Sequence, residues 1–405
     1  MARGATLALV LAAAALVAAW ALAAPYLLET AVPDGLSLPQ VAAADVVSAE
    51  ELAEARRFER FLRTSALLSV AALLLVFGLY ARYGMSFAKQ SAAGRIGTGM
   101  LLAMLGFAVY WLVQIPFGLA DLWWLRRHEI SNVDYLTWLV ESWFALGGEF
   151  LFVCLAVLIV MGLARPLPRT WWIPGGAVFV GLVLLFTFVS PYLLPGLDDA
   201  PADVVAEARG LAEEQGLPED IPVKVEDVSE FTTAPNAYAT GLGPTRVVVL
   251  WNTLLASFDD GEVRVVVAHE LAHHSRDHLW KLVGWYALFA FPGVFLIALA
   301  TRRRGGMAEP AAVPLALFVL VVLQLAALPL QNALSRGLEA EADWVALETT
   351  EDPEGARGLF AGFATEALVD PDPPDWAHFL LDSHPTLVDR IAMAEAWRSR
   401  RDGSP

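Results

Sequence analysis

Residues 269–273 read His-Glu-Leu-Ala-His. On a helix, residues four apart share one face. His269 and His273 can therefore offer two imidazole nitrogens to a single ion, at the ~2.0–2.1 Å typical of zinc. Glu270 is rotated off that face and can reach a water on the ion rather than the ion itself. Zinc lowers the pKa of such a water to near 7, and a carboxylate can then take its proton. The chemistry offered is metal-assisted hydrolysis with Glu270 as base. The bland alternative is a charged stretch of surface helix. The apolar run Val263–Ala268 argues against it, because it buries the turn that leads into the motif.

A catalytic zinc keeps three protein ligands and one open position, so a third donor is required. Residues 332–343 read Asn-Ala-Leu-Ser-Arg-Gly-Leu-Glu-Ala-Glu-Ala-Asp. Glu339 and Asp343 are again four apart and share a face. Glu339 is the expected third ligand. Asp343 is expected to accept a hydrogen bond from the free ring N–H of a ligand histidine, the usual role of such a carboxylate. One zinc ion per chain follows. Glu341 falls elsewhere on the helix and reads as solvated. His274 and His278 read as surface or supporting residues rather than ligands. The lone cysteine, Cys154, lies in an apolar run and reads as an inert core residue.

The elements that must bring these pieces together are dominated by the bilayer. The apolar class makes up 57% of the 405 residues and charged residues only 18%, a membrane composition when soluble domains run near 45–50% and 25%. The net charge of -17 argues against a nucleic-acid partner, whose phosphates require a basic surface. Stretches free of charge, or nearly so, and long enough to cross about 30 Å run over 4–28, 64–81, 96–120, 142–164, 170–197, 282–301 and 310–335. The fourth holds Glu149, which either lines a water-filled space or marks a later helix start. The first also reads as a signal peptide, with Arg3 ahead of it and Ala21-Leu22-Ala23 as a cleavage site, although it is longer than the usual signal core.

The expected fold is mainly α: a polytopic membrane protein with about seven transmembrane helices and a small β-sheet in its catalytic part. The chain divides into 1–197 (five membrane helices), 198–281 (catalytic segment), 282–335 (membrane hairpin) and 336–405 (catalytic helices with the third ligand). Within 198–281, helical periodicity covers 200–215, strand-like pieces cover 222–228 and 246–250, and a long helix starts near Glu262.

With these motifs in hand, the chain resembles the zinc-dependent CAAX prenyl proteases and the wider family of membrane His-Glu-x-x-His metallopeptidases, which includes bacterial quality-control proteases. The resemblance rests on Ser335-Arg336-x-x-Glu339-x-x-x-Asp343 downstream of the histidine motif, with two membrane runs between them. It rests also on His278 five residues past His273, on Asn236–Gly243 followed by Arg246–Leu250, and on Ser383–Arg390. It is firm over 198–400. It implies a zincin-like catalytic domain whose helices enclose a water-filled chamber. It implies that substrate adds as a strand along 246–250, near Asn236, Ala237, Tyr238 and Val248, with Asn236 on the substrate main chain. It further implies that His384 stabilises the oxyanion and that Arg390 holds the ligand helix near Asp343 or Asp389.

The implied activity is cleavage of membrane-associated or lipidated proteins, and the implied location is a multi-pass protein of the cell membrane. Lipidated and unmodified substrates both stay open. The resemblance puts the active site in the cytosol, whereas Arg302-Arg303-Arg304 points the other way. Short-loop lysines and arginines divide evenly between the two sides, so the positive-inside rule does not choose. Three rivals remain: a regulated signalling protease, a non-catalytic scaffold, and a protease that cuts within the bilayer. The first lacks a sensor domain. The second has no need of His269, Glu270, His273 and Glu339 together. The third would not flank its motif with Glu262, Arg264, Arg276 and Asp277.

Overall fold

A computed structural model describes the backbone of residues 2–403 and the side-chain surroundings of residues 14, 15, 17–88 and 91–403. The chain opens with helix α1 (Ala2–Leu27). Much of the first apolar run, and with it the reading of its N-terminal part as a membrane span, lies outside the described side chains. Among the described residues, six further helices carry apolar stretches long enough to cross a bilayer. They are α2 (Ala49–Tyr83), α3 (Gly94–Arg127), α4 (Tyr135–Ala164), α5 (Trp172–Val189), α9 (His278–Thr301) and α10 (Val313–Thr350). Large apolar side chains such as Leu68, Leu75, Leu112, Phe144 and Leu151 are exposed on them, which in a bilayer is the solvated state. The protein is a multi-pass integral membrane protein.

Two helices run well beyond their apolar stretches. Ser48 caps α2 in a reciprocal box with Glu51, so the helix begins in the polar stretch 49–63, ahead of its membrane run. At about 1.5 Å per residue, the 38 residues of α10 exceed the bilayer core, and its C-terminal third emerges carrying Glu339, Glu341 and Asp343. Asp134 caps α4 and starts it at Tyr135. Glu149 therefore sits in mid-helix with its side chain exposed, and the later-start reading is withdrawn.

Between α5 and α9 lie β1 (Leu197–Asp199), α6 (Ala202–Glu214), β2 (Val223–Glu226), β3 (Ala237–Thr240), β4 (Val247–Trp251), α7 (Asn252–Ser257) and α8 (Asp260–Ser275). The strands form one mixed sheet in the order β1-β2-β4-β3. β4 runs parallel to β2 and antiparallel to β3. The expected edge strand at 246–250 is therefore interior, and the sheet's two edges are β1 and β3. Val248 is fully buried, with strands on both sides, so it cannot meet a substrate strand. The error has a plain cause. The Val-Val-Val-Leu run reads strongly as strand, whereas Ala-Tyr-Ala-Thr does not.

After α10 come α11 (Pro353–Glu366), α12 (Asp375–Leu381) and α13 (Leu387–Arg401). One apolar core joins β2, β4, α8, α10, α11 and α13. Val265, Val267 and Leu271 of α8 are at most 2% exposed, and each such side chain contributes about 1.5–3 kcal/mol by leaving water. Residues 31–47 also pack on this core, although they lie within 1–197, read as the N-terminal membrane domain. The loop after α3 joins the segment ahead of β3, with Ser131 bridging Thr232. A second core holds the membrane helices together. At the far end of the bundle, Arg95 meets Glu309 at 3.1 Å.

Candidate metal centre

α8 starts from a second reciprocal box, in which the Asp259 and Glu262 carboxylates each accept the other residue's backbone N–H. From there it runs through the sheet-packed core to the histidines. α10 crosses it, held by their shared apolar core. The helical repeat of α8 puts His269 Nε2 within 3.2 Å of His273 Nε2. The crossing puts Glu339 Oε2 at 3.3 Å from His269 Nε2 and Oε1 at 3.6 Å from His273 Nε2. Three bonds of about 2.0–2.1 Å in tetrahedral array require donor separations near 3.3 Å. The triangle fits that requirement, and its two nitrogens and one carboxylate are a zinc donor set.

Each histidine is fixed from behind. His269 Nδ1 faces Asp343 Oδ1 at 2.9 Å, and Arg390 clamps that carboxylate with Nε at 2.7 Å and a terminal nitrogen at 2.6 Å. Of the two partners foreseen for Arg390, Asp343 is the one it meets. Arg390 also stacks 4.2 Å over the Phe360 ring. His273 Nδ1 faces His278 Nδ1 at 2.9 Å.

Burial pulls His269 down, but the Asp343 and Glu339 carboxylates outweigh it and lift the ring to about 10. His273 is held well below its ordinary value, by burial and then by His269. Burial pushes Glu270 up from 4.5 to about 7 against the pull of His269, with Glu339 adding to the rise and Arg390 opposing it. That suits a base working near neutrality.

A cavity of about 750 Å³ opens onto these groups. One wall is the free edge of β3, with Asn236 exposed at its start and the backbone N–H of Ala239 directed at the Glu270 carboxylate. Tyr238 also lines the cavity, but its hydroxyl bonds Glu226 at 3.1 Å. The opposite wall carries His384, exposed, with Nε2 at 3.4 Å from Glu339 Oε2. Sequence reasoning missed Glu59 and Arg63, which pair with each other on α2 and line the cavity. Their signal was faint: two charges on a polar helix stretch just ahead of a membrane run.

The reading of Glu341 is corrected. It is 1% exposed and lies among His278, Lys281 and Arg276. His274 and His278 are buried as well, at 3% and 0%. His274 Nε2 lies 3.3 Å from the Val247 carbonyl oxygen.

Residues 200–398 match the model of peptidase family M48. An uncharacterized metalloprotease, YhfN of Bacillus subtilis, is 30% identical over 283 residues, covering 66% of each chain. A Protease HtpX homolog of Limosilactobacillus fermentum is 29% identical over 54% of this chain and 86% of its own. CAAX prenyl protease 1 of Saccharomyces cerevisiae is 29% identical over 36% of this chain and 32% of its own. The matched stretch thus spans just under two thirds of YhfN and about a third of the yeast protease. The crystal structure of Ste24p from S. mikatae superposes with a TM-score of 0.71 at 17% identity, covering 94% of this chain and 96% of that one. At that identity the likeness is one of fold.

Proposed function

We propose that the chain is a member of peptidase family M48 and a zinc endopeptidase of the cell membrane acting on membrane-associated or lipidated proteins. One observation carries the reading: His269, His273 and Glu339 form a ligand triangle of metal dimensions on the wall of the cavity. Zinc bound there supplies Lewis acidity, polarising a carbonyl and acidifying water.

The side chains do the rest. The free edge of β3 at Ala237 and Ala239 holds the substrate main chain as an added strand, a mode that gives affinity without strict sequence preference. Glu270 takes a proton from the attacking water and returns it to the leaving amine nitrogen. His384, facing the same space, donates to the oxygen on which negative charge develops. Asn236 fixes the strand at the mouth of the cleft. Asp343 and Arg390 keep His269 in the tautomer that leaves Nε2 free. We take the catalytic part to face the cytosol, as the family resemblance implies. A cysteine installed at exposed Ser229 tests this: protection from an impermeant thiol reagent in intact cells is expected, and labelling refutes it.

The reading is tested with purified full-length protein, a farnesylated peptide and its unmodified twin. About one zinc per chain is expected, with cleavage of a peptide bond inside the chain and loss of cleavage in Glu270→Ala. Preference for the farnesylated peptide assigns lipidated substrates, and indifference assigns membrane proteins more generally. Protein that binds no zinc, or a variant that cleaves at the wild-type rate, refutes the reading.

A further inference from the structure

The two ligand histidines are supported in different ways. Behind His269 stands a carboxylate. Behind His273 stands a second imidazole, fully buried, on the first turn of α9. His278 Nε2 in turn lies 3.2 Å from Glu341 Oε2. That same oxygen accepts from Lys281 Nζ at 3.2 Å. The other oxygen accepts from Arg276 Nε at 2.6 Å and from the Ala31 backbone N–H at 2.9 Å. Lys281 also reaches the Glu29 carbonyl oxygen at 2.9 Å.

The donor and acceptor inventory leaves one consistent arrangement. A carboxylate beside two cations stays ionised and can only accept. His278 Nε2 must therefore donate to it. A neutral His278 then presents Nδ1 as an acceptor, so His273 Nδ1 must donate. This leaves His273 Nε2 with its lone pair directed at the point shared with His269 and Glu339. Each oxygen of Glu341 has two donors, so the carboxylate cannot turn without breaking bonds to Arg276 at the end of α8, to α9 and to the segment that follows α1.

We propose that His278 and Glu341 are positioning residues: Glu341, clamped by Arg276, Lys281 and the Ala31 N–H, orients His278, and His278 fixes His273 as a metal ligand. The inference rests on the metal site proposed above. It makes residues 29–31, at the exit of the first helix, part of the support of that site. The neutral imidazole relay also gives His273 a weaker backing than the Asp343 carboxylate gives His269.

The test is the zinc dissociation constant of full-length protein in detergent, read by competition between zinc chloride and a chelating dye, with the thermal midpoint of the metal-stripped protein measured alongside. His278→Leu removes the acceptor and should weaken zinc about 10–100-fold, the usual cost of losing a partner behind a ligand. His278→Asn keeps an acceptor oxygen near the position of Nδ1 and should recover to within about tenfold of wild type. A wild type that binds no zinc overturns the metal site itself. A wild type that binds zinc, with a Leu variant that binds it equally tightly while losing thermal stability, overturns the positioning role alone. Nitrogen-15 spectra of the histidine rings in the zinc-loaded wild type decide the matter without any variant. His278 carrying its proton on Nε2 supports the proposal, and a proton on Nδ1 refutes it.

Discussion

Replacing Glu270 with Gln separates two consequences of its burial. The carboxyl group is 7% exposed and is pushed up from 4.5 to about 7. Between those values the native state holds a proton that the unfolded chain has released. Native stability contributed by this group is therefore full below pH 4.5 and is lost as pH rises to 7. A shift of that size corresponds to about 3 kcal/mol. Gln has nearly the same shape and does not titrate. In metal-stripped protein the variant should match wild type near pH 4 and exceed it by up to about 3 kcal/mol at pH 8. For a folding unit of some 200 residues this is a rise in midpoint of about 5–10 °C. The assay is a detergent thermal scan, followed by tryptophan fluorescence, of both proteins from pH 4 to 8. Zinc at the site supplies a positive charge that offsets the penalty, so the difference should shrink in the loaded protein. The same substitution should lower kcat by about 10²–10⁴-fold while zinc stays bound. Parallel stability curves for the two metal-stripped proteins across this range would refute the argument that Glu270 is held against its preference.

Arg390→Ala leaves the buried Asp343 with its histidine bond but without the guanidinium that clamps it. Zinc affinity should fall about 10–100-fold and stability by about 3–5 kcal/mol, read by zinc titration and by a thermal scan. Gly241 has φ +87°, and a Cβ there would lie 2.0 Å from the Thr245 carbonyl oxygen. Gly241→Ala should therefore cost at least about 1–3 kcal/mol, whereas Gly210→Ala, in open space on α6, should gain about 0.5–1 kcal/mol. Ala239→Pro removes the edge N–H of β3 that is directed at the Glu270 carboxylate, and proline is tolerated on an edge. It should leave the fold intact and lower kcat/KM on a peptide substrate by about tenfold, the worth of one hydrogen bond.

What the sequence determined by itself was whatever depends on neighbours a turn or two apart. The i,i+4 spacing of His269 and His273, the matching spacing of Glu339 and Asp343, and the uncharged runs that cross the bilayer are all properties of short stretches. A helix repeats every 3.6 residues wherever it is placed. Strand positions within the sheet were not legible in that way. The resemblance gave the edge to the Val-rich β4, yet β4 is interior and the plain Ala-Tyr-Ala-Thr of β3 lies at the edge, because being an edge or an interior strand depends on which neighbours pair with it. Glu341 shows the same limit at a single residue. Taken alone, a charged side chain reads as solvated, since isolated charges stay in water. Its burial is offset by Arg276, Lys281, His278 and the Ala31 N–H, the last of them 310 positions away along the chain. Only the crossing of α8 and α10 decided that two histidines and one glutamate would face a common point. That convergence comes from apolar packing in the core beneath them, where the spacing of the ligands themselves has no say.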